Sequence, residues 1–202
     1  LIARGTSSDK ITFTSSAASP AAGDWGFIQF TNTSADATFD GNGDYTGGSI
    51  LEHCIIEYAG GSGVDGSVEV DQALPFINYS TIRYGGSNGI NYKNESLKVH
   101  NSTITQNDGM GIYSNEDNDG APAFTVSLIN NTISNNTFRG MYIYKVGSGH
   151  TGTVTIDNNT VTNNERNVIE VTIPNGTVTI TNSTITDNSH GMSWIENVGI
   201  YV

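Results

Sequence analysis

Single aliphatic residues recur along the chain inside short, otherwise polar segments. Ile56, Ile82, Ile104, Ile133, Val161 and Ile185 stand at the centre of such segments, typified by Thr103-Ile104-Thr105 and Thr160-Val161-Thr162. The steps between them are 26, 22, 29, 28 and 24 residues, a period of about 26 with loops of varying length set into a constant cross-section. Seven and five residues before each centre from Ile104 onward stand further apolar pairs: Leu97 and Val99, Val126 and Leu128, Val154 and Ile156, Val178 and Ile180. That alternation predicts a strand with one face inward. Eight residues after the centre stand Val64, Ile90, Ile112, Met141 and Ile169, most of them just behind a glycine. The pattern predicts three short strands and three corners per repeat, with successive repeats pairing in parallel about 4.8 Å apart.

Polar residues sharpen this picture at the corners. Asn101, Asn130, Asn158 and Asn182 lie three residues before the centre, and Asn107, Asn136, Asn164 and Asn188 three after it. Asparagines stacked at constant phase can pass amide hydrogen bonds from one repeat to the next, and asparagine tolerates the left-handed backbone of a sharp corner. Two such columns predict structural ladders. The expected fold is all-β, a right-handed parallel β-helix of about seven or eight coils. It forms one domain over residues 1–202: residues 1–48 supply N-terminal coils with long loops, and residues 49–202 the regular repeats.

The Asn-x-Thr-Ile-x-x-Asn pattern, followed by Gly-Ile-Tyr or Gly-Met-Tyr, resembles the repeats of the pectin-lyase-like superfamily over residues 49–202. The opening, with Gly5-Thr6-Ser7-Ser8-Asp9-Lys10-Ile11-Thr12-Phe13 and Gly23-Asp24-Trp25-Gly26-Phe27-Ile28, resembles the first coils of secreted microbial proteins of that class. The resemblance implies the fold and an extracellular or cell-surface setting. It leaves the activity open, because the superfamily spans lyases, hydrolases, epimerases, adhesins and structural modules.

Composition narrows the partners. Twenty acidic residues against eight basic ones give a formal net charge of −12, which repels a phosphate backbone and so disfavours nucleic acid. No apolar run approaches the ~20 residues of a membrane helix. The lone Cys54 rules out an internal disulfide and is expected to pack as a small corner residue. Neither the calcium-binding acidic cluster of pectate lyases nor the clustered aspartates of polygalacturonases is present as a pattern. The chain is therefore expected to lack a catalytic cluster; were it an enzyme, it would be a polysaccharide lyase or a glycoside hydrolase.

Four sets of residues carry candidate chemistry. Asn115, Asp117 and Asp119 match the start of an oxygen-rich calcium loop, and Asp40, Asn42 and Asp44 repeat the alternation, so calcium is the one cofactor suggested. Thr103 and Thr105, Thr132 and Ser134, Thr160 and Thr162, Thr184 and Thr186 predict two outward columns, similar to the Thr-x-Thr faces of ice-binding solenoids. Glu57 and Arg83 interrupt them as an expected surface ion pair. Among the glycosylation sequons, Asn32, Asn78, Asn94 and Asn175 are expected to stand free of the ladders. Trp25, Tyr113, Tyr142, Tyr144 and Trp194 could form platforms for sugar rings.

The ends carry strand-like residues, Leu1-Ile2-Ala3 and Val198-Gly199-Ile200-Tyr201-Val202. Uncovered coil edges template pairing with another chain, so the chain is expected to be a segment of a longer solenoid or a subunit stacking head to tail on copies of itself. The leading expectation is an extracellular structural or adhesive solenoid, assembling into a surface filament. The rival is a carbohydrate-binding or polysaccharide-degrading module, and a third possibility is an ice-binding threonine face.

Overall fold

The fold was obtained as a computed structural model, which describes residues 1–61, 63–93, 96–116, 123–145, 151–166, 168–189 and 195–201. Its regular elements are β-strands, nearly all of them three to seven residues long. Short strands follow from the sequence: threonine, isoleucine and valine favour the pleat, and a corner residue ends each run within a few positions.

Every coil passes through three faces in the same order. The first face holds Ile2–Arg4, Ile50–Glu52, Phe76–Asn78, Leu97–His100, Phe124–Ile129, Thr151–Asp157 and the later half of Ile169–Thr181. The second face is a seven-stranded sheet of Ile11–Phe13, Cys54–Glu57, Thr81–Arg83, Thr103–Thr105, Thr132–Ser134, Thr160–Thr162 and Thr184–Thr186. The third face holds Ile28–Phe30, Gly66–Asp71, Asn88–Lys93, Ile112–Glu116, Met141–Lys145 and the earlier half of Ile169–Thr181. All these pairings are parallel and in register, as in Ile56↔Ile82↔Ile104↔Ile133↔Val161↔Ile185. The strand Ile169–Thr181 turns from the third face to the first without a break, and Ile195–Tyr201 follows it with a register shift at the bend.

The core is one column of aliphatic side chains running the length of the stack. Ile56, Ile82, Ile104, Ile133 and Val161 are fully buried, as are Leu97, Val99, Val126 and Leu128 on the first face. The third face differs from the sequence expectation at its second coil. Ile90 pairs with Val68, not Val64. The corner after Cys54–Glu57 is longer than its counterparts, and Gly63, at φ +87°, turns the chain there before the strand resumes at Gly66.

Two left-handed corners flank the second face. His53, Tyr79, Asn101, Asn130, Asn158 and Asn182 take positive φ before it, and Tyr58, Tyr84, Gln106, Asn135, Asn163 and Asp187 after it. The left-handed residue at the second corner thus precedes Asn107, Asn136, Asn164 and Asn188, which turn inward instead.

One element departs from the solenoid. Thr38–Phe39 and Tyr45–Gly47 pair antiparallel as a hairpin lying beside the first face. Phe39 and Tyr45 pack on a small satellite core of Ala37, Ile50 and Phe76. The Lys98 ammonium sits 3.5 Å from the centre of the Phe39 ring, a cation–π contact that fastens the hairpin to the sheet.

Candidate functional site

The asparagine columns are hydrogen-bonded ladders of two kinds. At the second corner Asn107, Asn136 and Asn164 are buried, and the Nδ2 of each donates to the Oδ1 of the next, at 3.0 Å, ending on Asn188. Each Oδ1 also accepts the backbone amide of the residue below, such as Asn107 N on Asn136 at 3.2 Å. At the first corner Asn158 donates to Asn130, Asn130 to Asn101, and Asn101 to Asn78. Asn182 donates instead to Asp157, whose carboxyl is held below its usual range by Thr181 Oγ1 and by Asn182. A third column escaped the sequence. The amides of Cys54, Ser80, Ser102, Asn131 and Asn159 donate to the side chains of Ser80, Ser102, Asn131, Asn159 and Ser183 in turn. Its residue type changes from coil to coil. What is constant is a short side chain with an acceptor, one residue past the left-handed corner.

Asn78 is an exception to its expected freedom: it is buried, and its Nδ2 donates to Glu52 Oε1 at 3.2 Å. Asn32 is exposed in the turn at Thr31–Ser34, and Asn175 is exposed opposite Thr151. Asn94 lies outside the described residues.

Of the proposed calcium ligands, Asp117 and Asp119 lie outside the described residues, and Asn115 sits in the strand Ile112–Glu116, paired with Tyr144. In the other set, Asp40 Oδ1 accepts the amides of Asn42 and Asp44 at 2.8 and 3.0 Å. That carboxylate shapes the hairpin turn, with Asn42 and Asp44 exposed around it. Among the described residues no group of three or more His, Cys, Asp or Glu converges on one point.

The threonine columns are in register on the second face. They are uneven: Ser134 is buried and bonded to Thr105 Oγ1 at 3.1 Å, and Glu57 and Arg83 close an ion pair at 2.7 Å.

The third face brings the predicted aromatics together. Successive coils place Gln29, Glu69, Asn91, Tyr113, Tyr142 and Glu170 in one register column, and Asn115, Tyr144 and Thr172 in the next. Tyr113 and Tyr142 have near-parallel rings with centroids 5.7 Å apart, and Tyr142 and Tyr144 repeat this at 5.8 Å. The patch is framed by polar pairs. Arg139 meets Glu170 at 3.0 Å and stands 4.8 Å from the Tyr142 ring centroid. At the other end Asn91 Nδ2 donates to Glu69 Oε2 at 2.7 Å. Burial raises the Glu69 carboxyl and the Tyr142 phenol above their usual ranges. The phenol therefore stays a neutral donor at physiological pH. Arg139 and Glu170 were not foreseen, although Glu170 follows Ile169 as Tyr142 follows Met141, and that register marks it.

Trp25 does not join the patch. It is half-buried against the core and donates Nε1 to the Glu57 carbonyl at 2.8 Å. Trp194 lies outside the described residues.

Residues 122–202 match the family model of the right-handed beta helix region. The chain is a right-handed parallel β-helix. No curated protein and no solved structure matches it. The matched part of the β-helix begins just ahead of Phe124–Ile129, and the preceding coils extend the same three faces back to Ile2–Arg4.

Proposed function

We propose that this β-helix is an adhesive solenoid that binds polysaccharide along its third face. The supporting observation is the framed tyrosine patch: Tyr113, Tyr142 and Tyr144 with near-parallel rings, Arg139–Glu170 at one end and at the other the part-exposed Glu69 carboxylate, held from beneath by the fully buried Asn91. Aromatic rings take the C–H faces of sugars, and planar amide, carboxylate and guanidinium groups take the hydroxyls in their plane. The column lies across the strands, so a linear glycan running along the stack meets Tyr113, Tyr142 and Glu170 in turn, about 4.8 Å apart. An extracellular or cell-surface setting accompanies this reading, because that is where such a ligand is found.

Affinity electrophoresis in gels carrying neutral or acidic polysaccharides tests it. At least one polymer should retard the protein, and Tyr142→Ala should weaken that retardation about tenfold, the loss of one good contact worth roughly 1.4 kcal/mol. Mobility unchanged in every polymer, or unchanged by Tyr142→Ala in the polymer that binds, would falsify the assignment.

A further inference from the structure

A concave site lies on a different face. Between the hairpin and the corner before the second face is a cleft of about 400 Å³, within the range of sites for small ligands. Its floor is a chain of planar polar groups. Asn101 Nδ2 donates to Asn78 Oδ1 at 2.9 Å, Asn78 Nδ2 donates to Glu52 Oε1 at 3.2 Å, and Glu52 Oε2 accepts Arg4 Nε at 2.7 Å. The first-corner ladder therefore ends in a charged pair at the cleft.

Aromatic side chains line part of the cleft, beside Gly43 and Asp44 of the hairpin turn. Tyr45 comes from the hairpin, is fixed by its hydroxyl donating to the Gly48 carbonyl at 2.7 Å, and stacks near Phe76. The rim is Tyr79, 49% exposed although it occupies a left-handed corner at φ +47°. The ring of His53 lies parallel to it at 4.9 Å and holds it in place. A large exposed aromatic at a position that costs backbone strain, where the preceding coil has His53 and the four following coils have asparagine, is a feature that corner geometry alone does not require.

The charges define the ligand. Arg4 and Glu52 neutralise one another and Asp44 adds one negative charge to the lining, so the cleft offers directional donors and acceptors in a field that repels an anion. Arg4 gives its Nε to Glu52 and sets its guanidinium 5.4 Å from the Tyr45 ring centroid. Guanidinium donors, amide groups and a carboxylate lying beside an aromatic rim are the partners of a polyhydroxylated ring that carries no charge. The geometry points to a binding site for a neutral hexopyranose unit in this cleft, separate from the tyrosine patch of the third face.

Saturation-transfer NMR on the folded protein with methyl glucoside, methyl galactoside, methyl mannoside and, as the charged contrast, methyl glucuronoside tests the proposal. At least one neutral glycoside should receive saturation. The signal should fall several-fold in Tyr79→Asn, which installs the residue that the four following coils carry at this corner and so keeps the fold, and in Arg4→Met. It should persist in Tyr142→Ala, a change confined to the other site. Saturation of no neutral glycoside, stronger saturation of the glucuronoside, or a signal indifferent to both Tyr79→Asn and Arg4→Met would overturn the site. A signal lost in Tyr142→Ala but retained in the cleft variants would assign the binding to the third face alone.

Discussion

At the scale of the residue, stability rests on polar side chains that the fold has taken out of water. Asn136 is fully buried and makes four hydrogen bonds: its Oδ1 accepts the amide and the Nδ2 of Asn107, and its Nδ2 donates to Asn164 Oδ1 and to the Ile104 carbonyl. Replacing it with alanine strands partners above and below, so Asn136→Ala should cost about 2–4 kcal/mol in urea unfolding. The same change at exposed Asn135 should cost about 1 kcal/mol or less. His100 is a second case. Burial, with Lys98 adding to it, lowers its pKa to about 4, and its Nε2 lies 2.9 Å from Ser127 Oγ. The unfolded chain binds this proton more readily than the folded one between the ordinary value near 6.5 and 4. The stability tied to neutral His100 is therefore complete above pH 6.5 and is lost as pH falls through that window. Unfolding free energies at pH 7.5 and 4.5 should differ less in His100→Gln than in the parent, and an equal difference would remove His100 as the cause.

At the scale of the element, legibility follows repetition. The strands of the second face were visible because one aliphatic position must point inward in every coil, whatever the loops do. The outer asparagines were visible for a similar reason, since a left-handed corner favours one residue type. The inner column from Ser80 to Ser183 was not, because serine and asparagine, with cysteine opening the column, serve the same geometry and leave no common letter. The tyrosine patch was half legible: the rings were marked, but Arg139 and Glu170 needed the register. The hairpin was illegible because it belongs to no repeat. Its return leg depends on Gly48 at φ +93°, where a Cβ would collide with the Asp36 carbonyl and lie 2.8 Å from the Ala37 Cα. Gly48→Ala should therefore detach the hairpin, raising amide exchange across residues 38–47 while leaving the second face protected. If exchange there is unchanged, the clasp of Lys98, Phe39 and Phe76 holds the hairpin without its turn.

At the scale of the whole molecule, the strands of each coil pair with the coils beside it, and the hairpin reaches further, from between the first two coils to Lys98 of the fourth. Every parallel pairing joins neighbours in the stack, and the side-chain ladders do the same. Stability in such an array is close to a sum of coil terms and nearest-neighbour interface terms. A defect in one coil should then weaken its two neighbours most and fade with distance. Ile104 is the place to test this, being fully buried between Ile82 and Ile133. Ile104→Ala removes three methyl or methylene carbons and leaves a cavity, at a cost of about 2–5 kcal/mol. Hydrogen exchange followed by mass spectrometry should show the largest loss of protection at residues 103–105, a clear loss at 81–83 and 132–134, and little change at 184–186. A uniform rise along the whole stack would mean that the coils unfold as one cooperative unit. In that case the continuous ladders, which cross every interface, carry enough coupling to override the one-dimensional decay. The distance over which protection recovers thus measures how far one coil depends on the next, and whether the two proposed sugar sites, on different faces of neighbouring coils, can be altered independently.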